Sequence, residues 1–278
     1  MKSPSLRHLT LLATLVLSAP VAFADYSISI TPRFSPDELL RQITPLAERL
    51  TEVLGEKVKV VLTSDFKAME QDMKAGRIDI AYVNPIIYPL ASDAHEALAI
   101  VSKGEGGDKL RGLVITRADS EIVSPEDLKG KSATIVSLQS VGGYLSQKVA
   151  LEKKGLHPET EMRLQEAKDN KQENVALAVY LGETDVGFIR EDALHIADKY
   201  VPPSQIRVIL RGEWMPSWAI SVKRSLPQDI KDKIRQAVLD LKPGDPVLQV
   251  IKANGFVPGS DADYDVYRKA LGLAIPKR

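Results

Sequence analysis

The chain of 278 residues contains no cysteine. This absence excludes a disulfide framework, a thiol nucleophile and a thiolate metal site, so a packed core has to hold the fold together. An excess of positive charge is also lacking, because 37 basic residues are balanced by 37 acidic ones. A near-neutral chain argues against a nucleic-acid partner.

Long apolar runs are absent beyond the N-terminal region, so no later segment is expected to span a membrane. The N-terminal region itself begins with Lys2 and Arg7, continues with the mostly apolar stretch 9–21, and ends in Ala22-Phe23-Ala24. This order is typical of a secretory signal peptide, here residues 1–24 with cleavage after Ala24. Because no cysteine lies at or near the cleavage site, lipid attachment through cysteine is excluded, and we expect an exported protein that is not a lipoprotein.

Catalytic and metal-binding motifs are missing as well. The sequence has no G-x-S-x-G element, and the three histidines after the signal peptide, at 95, 157 and 195, form no H-E-x-x-H pattern. We expect surface or helix-cap roles for these histidines. The prediction is therefore no cofactor, no metal and no enzymatic activity, with an acid–base pair assembled only in the fold as the open alternative.

What the sequence does contain is a double series of strands and helices, which predicts an α/β fold. In the first series, strand 26–30 leads to Ser35, an N-cap pattern with Pro36 at the first helical position and Glu38 three residues after the cap. Apolar residues follow at helical spacing, and Gly55 is expected to end this helix; they are Leu39, Leu40, Ile43, Leu46, Leu50 and Leu54. Further strands are predicted at 58–62 and 78–83, with a helix at 66–74 between them, and a strand at 110–116 leads out of the series. This alternation indicates a parallel sheet covered by helices.

A second series starts near residue 133, and the chain returns to the first series near residue 217. Two such crossovers predict two lobes with a hinge and a cleft between them. We expect lobe 1 to comprise residues 25–115 and 218–278, and lobe 2 to comprise residues 116–217.

Five stretches in a fixed order carry a family resemblance. They are RFSPDELLRQITPLAERLTEVLGEKVKVVLTSDFKAMEQDMKAGRIDIAYVNPIIYPLA, ITRADSEIVSPEDLKGKSATIV, LGETDVGFIREDAL, SLPQDIKDKIRQAVLDL and GFVPGSDADYDVYRKALGL. With these stretches the chain resembles the periplasmic substrate-binding proteins of the phosphate/phosphite/phosphonate ABC transporters, phosphonate-binding type. The resemblance implies a two-lobed, type II Venus-flytrap fold in the periplasm, a small-molecule ligand and an ABC permease as partner. We expect a monomer. Ligand sensing for a membrane sensor kinase, without transport, stays open as the alternative.

In the family, a hydroxyl-rich S-x-S/T-S-G-type loop of the second lobe binds the anion. Here the loop reads Gln139-Ser140-Val141-Gly142-Gly143-Tyr144, with Val141 and Gly142 where hydroxyls are expected. The ligand-binding candidates in this loop are Ser140, Val141, Gly142, Gly143 and Tyr144, mainly through backbone N–H groups at a helix start. Ordinary turn residues at Gly142 and Gly143 are the competing interpretation.

The other candidates follow strand ends, where ligands bind in open α/β sheets. They are Arg33, Phe66, Asn84 and Tyr88 in the first lobe, Arg190 in the second lobe, and Trp218 beside Trp214 in the return crossover. Each has a competing structural interpretation: a solvated arginine, a turn asparagine, a packed aromatic ring, or an ion pair of Arg190 with Glu191 or Asp192. The loop has fewer hydroxyl side chains than the family pattern, and Trp218 offers an aromatic surface. Together these features favour a carboxylate, or an anion with an apolar or aromatic part, as the ligand over inorganic phosphate.

Overall fold

The computed structural model describes residues 25–104 and 106–277. The predicted signal peptide lies outside these residues. In chain order the strands are β1 (Tyr26–Ile30), β2 (Val58–Val60), β3 (Ile80–Val83), β4 (His95–Ser102), β5 (Lys109–Leu110), β6 (Gly112–Arg117), β7 (Ser132–Ile135), β8 (Arg163–Glu166), β9 (Val186–Arg190), β10 (Ile206–Arg211), β11 (Met215–Pro216), β12 (Ala219–Lys223) and β13 (Gly255–Pro258).

The helices alternate with these strands. They are α1 (Pro36–Leu54), α2 (Phe66–Lys74), α3 (Ile87–Leu90), α4 (Ser146–Glu152), α5 (Pro158–Glu161), α6 (Gln172–Tyr180), α7 (Ala193–Ala197), α8 (Gln228–Leu239), α9 (Pro246–Ile251) and α10 (Asp265–Ala270). In the part of the chain that the structure describes, none of them is long and apolar enough to cross a membrane.

Helix α1 shows how the sequence pattern becomes structure. The Ser35 hydroxyl accepts a hydrogen bond from Glu38 N, Pro36 opens the helix, and Gly55 ends it at a φ of 72°. The apolar residues predicted at helical spacing form the buried face, apart from Leu40, which is exposed. Burial of this face against the first sheet contributes about 1.5–3 kcal/mol for each fully buried side chain.

The first large sheet has the strand order β13-β4-β12-β3-β1-β2. Strands β1, β2 and β3 are parallel, as the alternating series predicts, and β12 inserts antiparallel between β3 and β4. The C-terminal strands β12 and β13 therefore complete the sheet that the N-terminal strands begin. The sequence did not predict β4 or β13.

The second large sheet has the order β10-β6-β9-β7-β8, with β7 parallel to both β8 and β9. Strand β6 pairs antiparallel with β9 in this sheet. Residues 112–115, which the sequence assigned to lobe 1, thus lie in a strand of the second sheet. The chain passes from the first sheet to the second earlier than predicted. The predicted strand 110–116 is in fact two strands, because the short strand β5 ends at Leu110 and β6 begins at Gly112.

Between the two sheets the crossing segments pair with each other. Strand β5 lies antiparallel to β11, with Leu110 opposite Met215 and Lys109 opposite Pro216. Ser217 N extends the pairing by donating to Asp108 O at 2.8 Å. The outgoing and returning connections are therefore joined into one two-stranded ribbon.

Candidate ligand-binding cleft

The two large sheets turn the ends of their strands toward the crossover ribbon. In the first sheet the pairs Ala219–Val83 and Ala219–Ile100 bring the ends of β3 and β4 level with the start of β12. In the second sheet Gly112 at the start of β6 pairs with Arg190 at the end of β9. Loops after these strand ends line the cleft between the sheets, which is where open α/β sheets bind ligands.

Arg33, just after β1, lies on the first wall of the cleft. Its guanidinium carbon lies 4.1 Å from the centroid of the Trp218 ring and 4.8 Å from that of Phe34. The side chain keeps access to solvent, yet the surrounding protein lowers its pKa by displacing water, and the charge of Arg190 lowers it further. The guanidinium still stays protonated, because its pKa is far above neutral.

Arg190, at the end of β9, lies on the opposite wall. It pairs with Asp192, one of the two partners considered from the sequence, and its backbone N–H donates to Gln172 Oε1 at 2.8 Å. Its charge acts on Arg33, so the structure brings together two predicted arginines from different sheets. The ion pair with Asp192 is therefore present, and a role of Arg190 in ligand binding stays a prediction.

Gly142 lies against the stem of Arg190. A Cβ at position 142 would come within 2.7 Å of Arg190 Cγ and 2.8 Å of Arg190 Cβ. Any larger residue here would displace the arginine, so the absence of a side chain at Gly142 positions Arg190 in the cleft.

The loop that precedes α4 begins a helical turn, Val141–Leu145, with wide π-type hydrogen bonding. Ser140 Oγ caps this turn by accepting from Gly143 N at 3.0 Å. The Ser140 hydroxyl thus serves its own loop. The N–H groups of Val141 and Gly142 donate to no group among the described residues, as is usual in the first turn of a helix.

Gly143 is required by packing. A Cβ at this position would lie 2.4 Å from Val136 Cγ2 and 2.8 Å from Ser140 Oγ. Its carbonyl accepts from Val136 N at 3.2 Å, which closes the loop onto the end of β7. Gly143 therefore has the packing role of a turn residue, and its role in ligand binding stays a prediction.

Val141 and Tyr144 contribute no polar side-chain group to the cleft. Val141 packs, together with Leu145, in the apolar cluster of the first sheet that contains Met69, Ile86 and Met215. Tyr144 is buried in the second core and stacks on Phe188 at a centroid distance of 6.4 Å. The valine in place of a hydroxyl therefore makes an apolar contact between the two sheets.

Asn84 follows β3 and has the role of a turn residue. Its Oδ1 accepts from Ile86 N at 3.1 Å and from Ile87 N at 2.7 Å, while its own N–H donates to Thr31 Oγ1 at 2.9 Å. Its Nδ2 has no partner among the described residues. The amide is thus held in place at the cleft edge with its donor end unused.

Tyr88 does not occupy the cleft, contrary to the prediction. Its side chain is fully buried, and its hydroxyl donates to Asp261 Oδ1 at 2.6 Å and accepts from Ala97 N at 3.0 Å. The ring packs edge-on to Tyr264 at 4.6 Å. Tyr88 is a core residue because α3 turns its side chain away from the strand end.

Trp218 and Phe66 lie at the rim of the first-sheet cores. Trp218 is partly buried, and its ring lies 5.1 Å from that of Tyr82. Phe66 is half-buried at the start of α2, which Asp65 caps by accepting from Ala68 N at 2.8 Å. Both rings are thus partly accessible, and the Trp218 ring lies against Arg33.

Lys103, beside the buried ring of Tyr82, is a cleft residue that the sequence did not single out. Lys103 follows β4, and its Nζ lies 5.9 Å from the centroid of the Tyr82 ring. Burial, and then the charges of Arg33 and Arg190, lower the pKa of Lys103 to about 8. The apolar run that forms β4, ALAIV before Ser102, was the available signal for a strand end here.

Tyr82 carries a buried hydroxyl without a hydrogen-bond partner in the described part of the protein. Burial raises the pKa of this hydroxyl, while the nearby charge of Arg33 acts in the opposite direction. An unpaired buried hydroxyl is unfavourable, and such groups mark positions where water or a ligand binds.

The histidines take no part in the cleft. His95 is fully buried, not at the surface as expected, and burial lowers its pKa to about 4. Its Nε2 lies 3.0 Å from Ile78 O. His157 takes the expected cap position at the start of α5, and His195 is exposed. Within residues 25–104 and 106–277, no group of histidine, aspartate and glutamate side chains has the arrangement of a metal site.

Two sheets of mixed strands, a double crossover and a cleft between strand ends define a two-lobed, type II periplasmic binding fold. A family model described as "ABC transporter, phosphonate, periplasmic substrate-binding protein" matches residues 28–264. The chain therefore belongs to the family of periplasmic substrate-binding proteins of phosphonate ABC transporters. The resemblance recognised in the sequence is confirmed.

Individual relatives agree with the family match. The chain is 24% identical to the phosphate-import protein PhnD of Mycolicibacterium smegmatis over 87% of its own length and 83% of the relative. It is also 26% identical to the tetrathionate sensor histidine kinase TtrS of Salmonella typhimurium over 59% of its length, but spans only 29% of that kinase. The crystal structure of PhnD1 from Prochlorococcus marinus in complex with methylphosphonate matches 89% of this chain and 98% of its own with a TM-score of 0.67 and 14% identity. The fold is thus shared, and the family supports transport over sensing.

Proposed function

We propose that this protein captures a small anion in the cleft between its two lobes and delivers it to an ABC permease. The observation that carries the proposal is the placement of Arg33 and Arg190. They approach from different sheets closely enough for their charges to repel, and Arg33 has no carboxylate within ion-pair distance among the described residues. A guanidinium without a carboxylate partner, with a second arginine near it on the other sheet, favours binding of an anion there.

The second lobe supplies backbone donors to the same cleft. The unused N–H groups of Val141 and Gly142 belong to the first turn of a helix, whose dipole favours negative charge. Hydrogen bonds of this charge-assisted kind contribute about 1.5–3 kcal/mol each. The small number of hydroxyl side chains in the loop therefore does not prevent anion binding.

Of the relatives named above, PhnD of Mycolicibacterium smegmatis is a phosphate-import protein and PhnD1 is solved with methylphosphonate, and both ligands are compact oxyanions. In this chain Val141 makes an apolar contact and the Ser140 hydroxyl is engaged by its own loop. Fewer side-chain donors are available for a compact tetrahedral anion. We propose a carboxylate, or a phosphonate with an apolar or aromatic part next to Trp218, as the ligand.

The remaining parts of the proposal follow from export and from the family. Cleavage after Ala24 releases a periplasmic protein without a lipid anchor, which works as a monomer and without nucleic acid. It binds its ligand without converting it. The lobes, residues 25–115 with 218–278 and residues 116–217, adjusted so that all of β6 belongs to the second lobe, close on the ligand by bending at the ribbon.

Native mass spectrometry of the protein purified from its own periplasm tests this proposal. We expect a bound small anion, released on denaturation and identified by its mass. A co-purified cation or neutral solute would contradict the anion assignment. Calorimetry with the identified ligand then measures affinity, and recovery of a modified product in place of that ligand would contradict simple binding.

A further inference from the structure

Lys103 occupies the first wall of the cleft at the end of β4. Its Nζ donates to one protein acceptor, Ile251 O at 2.6 Å, and lies beside the ring of Tyr82. Among residues 25–104 and 106–277, no carboxylate lies within ion-pair distance of this ammonium group. Two of its three donor positions are therefore free for another partner.

The charged groups around Lys103 come from several elements. Arg33 after β1, Arg190 at the end of β9 and Lys252 after α9 are positive, and Asp192 beyond β9 is the negative group that acts on it. The ring of Tyr82, on β3, lies 5.9 Å from the Nζ of Lys103, and its buried hydroxyl has no partner among the described residues. Positive charge is thus in excess in this part of the cleft and is distributed over both walls.

The cations stand on two different sheets, and the loop at Ser140 offers few hydroxyl groups that would concentrate donors on one tetrahedral anion. Arg33 and Lys103 face the cleft from the first sheet, whereas Arg190 and the N–H groups of Val141 and Gly142 face it from the second. Each wall can therefore hold its own negative group.

We infer that Lys103 is a third cationic contact for the ligand and that the cleft selects anions with two separated negative groups over monoanions. This inference rests on the proposed function and specifies its ligand class. One negative group binds at Arg33 and Lys103, and the other at Arg190 and the start of the helical turn after Ser140.

A measurable consequence is proton uptake. In the free protein the pKa of Lys103 is about 8, and a bound carboxylate stabilises the ammonium form, so the pKa rises in the complex. Binding near pH 8 therefore takes up a proton. Affinity is fully present below this pH and declines as the pH rises above it.

The test uses isophthalate, a dianion with separated carboxylates, together with benzoate and inorganic phosphate as probes. The two carboxylate probes do not titrate between about pH 7 and about pH 9.5, so any proton taken up with them belongs to the protein. We expect calorimetry to show isophthalate binding at least about tenfold more tightly than benzoate. We also expect a heat near pH 8 that depends on the ionisation enthalpy of the buffer.

Substitutions at Lys103 and at a nearby control lysine distinguish the effect of the Lys103 charge from the effect of the other charged groups. Lys103→Met should remove both the preference for isophthalate and the proton uptake, and Lys103→Arg should restore the preference without the uptake. Lys252→Met is the matched control, because Lys252 is exposed and contacts no proposed ligand group. It should retain both properties.

The outcomes are distinguishable. If isophthalate binds no better than benzoate, or if Lys103→Met binds like the wild type, the inference is overturned while anion capture stands. If none of the three probes binds the wild-type protein, the proposed anion site is overturned as well. The pH profile of the wild type decides the question even where a variant fails to fold, because affinity independent of pH across this range contradicts a role for Lys103.

Discussion

Two arginine–tryptophan pairs lie near the cleft and differ in one respect. Arg33 stacks on Trp218 at 4.1 Å, and Arg111 stacks on Trp214 at 4.3 Å. Arg111 donates from Nε and Nη2 to the two carboxylate oxygens of Glu191, at 2.6 and 2.8 Å. No described carboxylate pairs with Arg33. The comparison shows that the counter-charge, more than the residue types, separates a structural arginine from one available to a ligand.

The largest expected effect comes from removing the unpaired arginine. Arg33→Ala should weaken binding of the anion recovered from the native protein by about 1.5–3 kcal/mol, because a charge-assisted hydrogen bond is lost. Calorimetry measures the change. Arg111→Ala is the matched control and should leave affinity nearly unchanged, since Glu191 already occupies that guanidinium. Equal losses in both variants would remove the distinction between the two pairs.

The next effect concerns stability. Glu191→Gln removes the counter-charge of Arg111 and also that of Arg211, which pairs with the same carboxylate. Both side chains of the Arg111–Glu191 pair are mostly buried, so we expect the free energy of unfolding to fall by about 1–2 kcal/mol in denaturant titration.

Asp119→Asn provides the control for that change. Its pair with Arg117 is exposed at the surface, where solvent screens ion pairs and they contribute little to stability. A loss in this variant as large as in Glu191→Gln would show that burial of the Glu191 pair has no special effect.

The smallest expected effect distinguishes the tryptophans themselves. Trp218→Phe should weaken anion binding by about 0.5–1 kcal/mol through a poorer stack with Arg33, and Trp214→Phe should not. Since the chain has 2 tryptophans, each variant reports on one ring by fluorescence. The ligand-induced change should persist in Trp214→Phe and vanish in Trp218→Phe. Sub-micromolar phosphate binding that is unchanged in Trp218→Ala would point instead to a compact oxyanion.

Much of the fold was predictable because local signals agreed with it. The cap at Ser35, the stop at Gly55 and the apolar spacing between them define α1 before any tertiary contact is known. Helix α2, predicted at 66–74, has the same bounds in the structure. The order of strands in the first sheet was not predictable, because β12 and β13 pair with strands more than a hundred residues away in sequence.

The candidate site was predictable only in part. Arg33, Asn84 and Arg190 were predicted at the cleft because each follows the carboxyl end of a strand, and strand ends can be recognised from the sequence. They failed for Tyr88, whose orientation is set by the packing of α3, and missed Lys103 because β4 was not recognised. Whether a side chain faces a cleft or a core depends on contacts between distant elements, which periodicity does not encode.

The pairing of β5 with β11 has a mechanical consequence. Two independent linkers would let the lobes twist and slide as well as bend, whereas paired strands hold the crossing segments at a fixed spacing of about 4.8 Å. We therefore expect bending across this ribbon to be the motion of lowest energy, so that a single angle describes the opening of the cleft. A permease that contacts both lobes can then distinguish the ligand-bound protein from the free protein by the angle between the lobes.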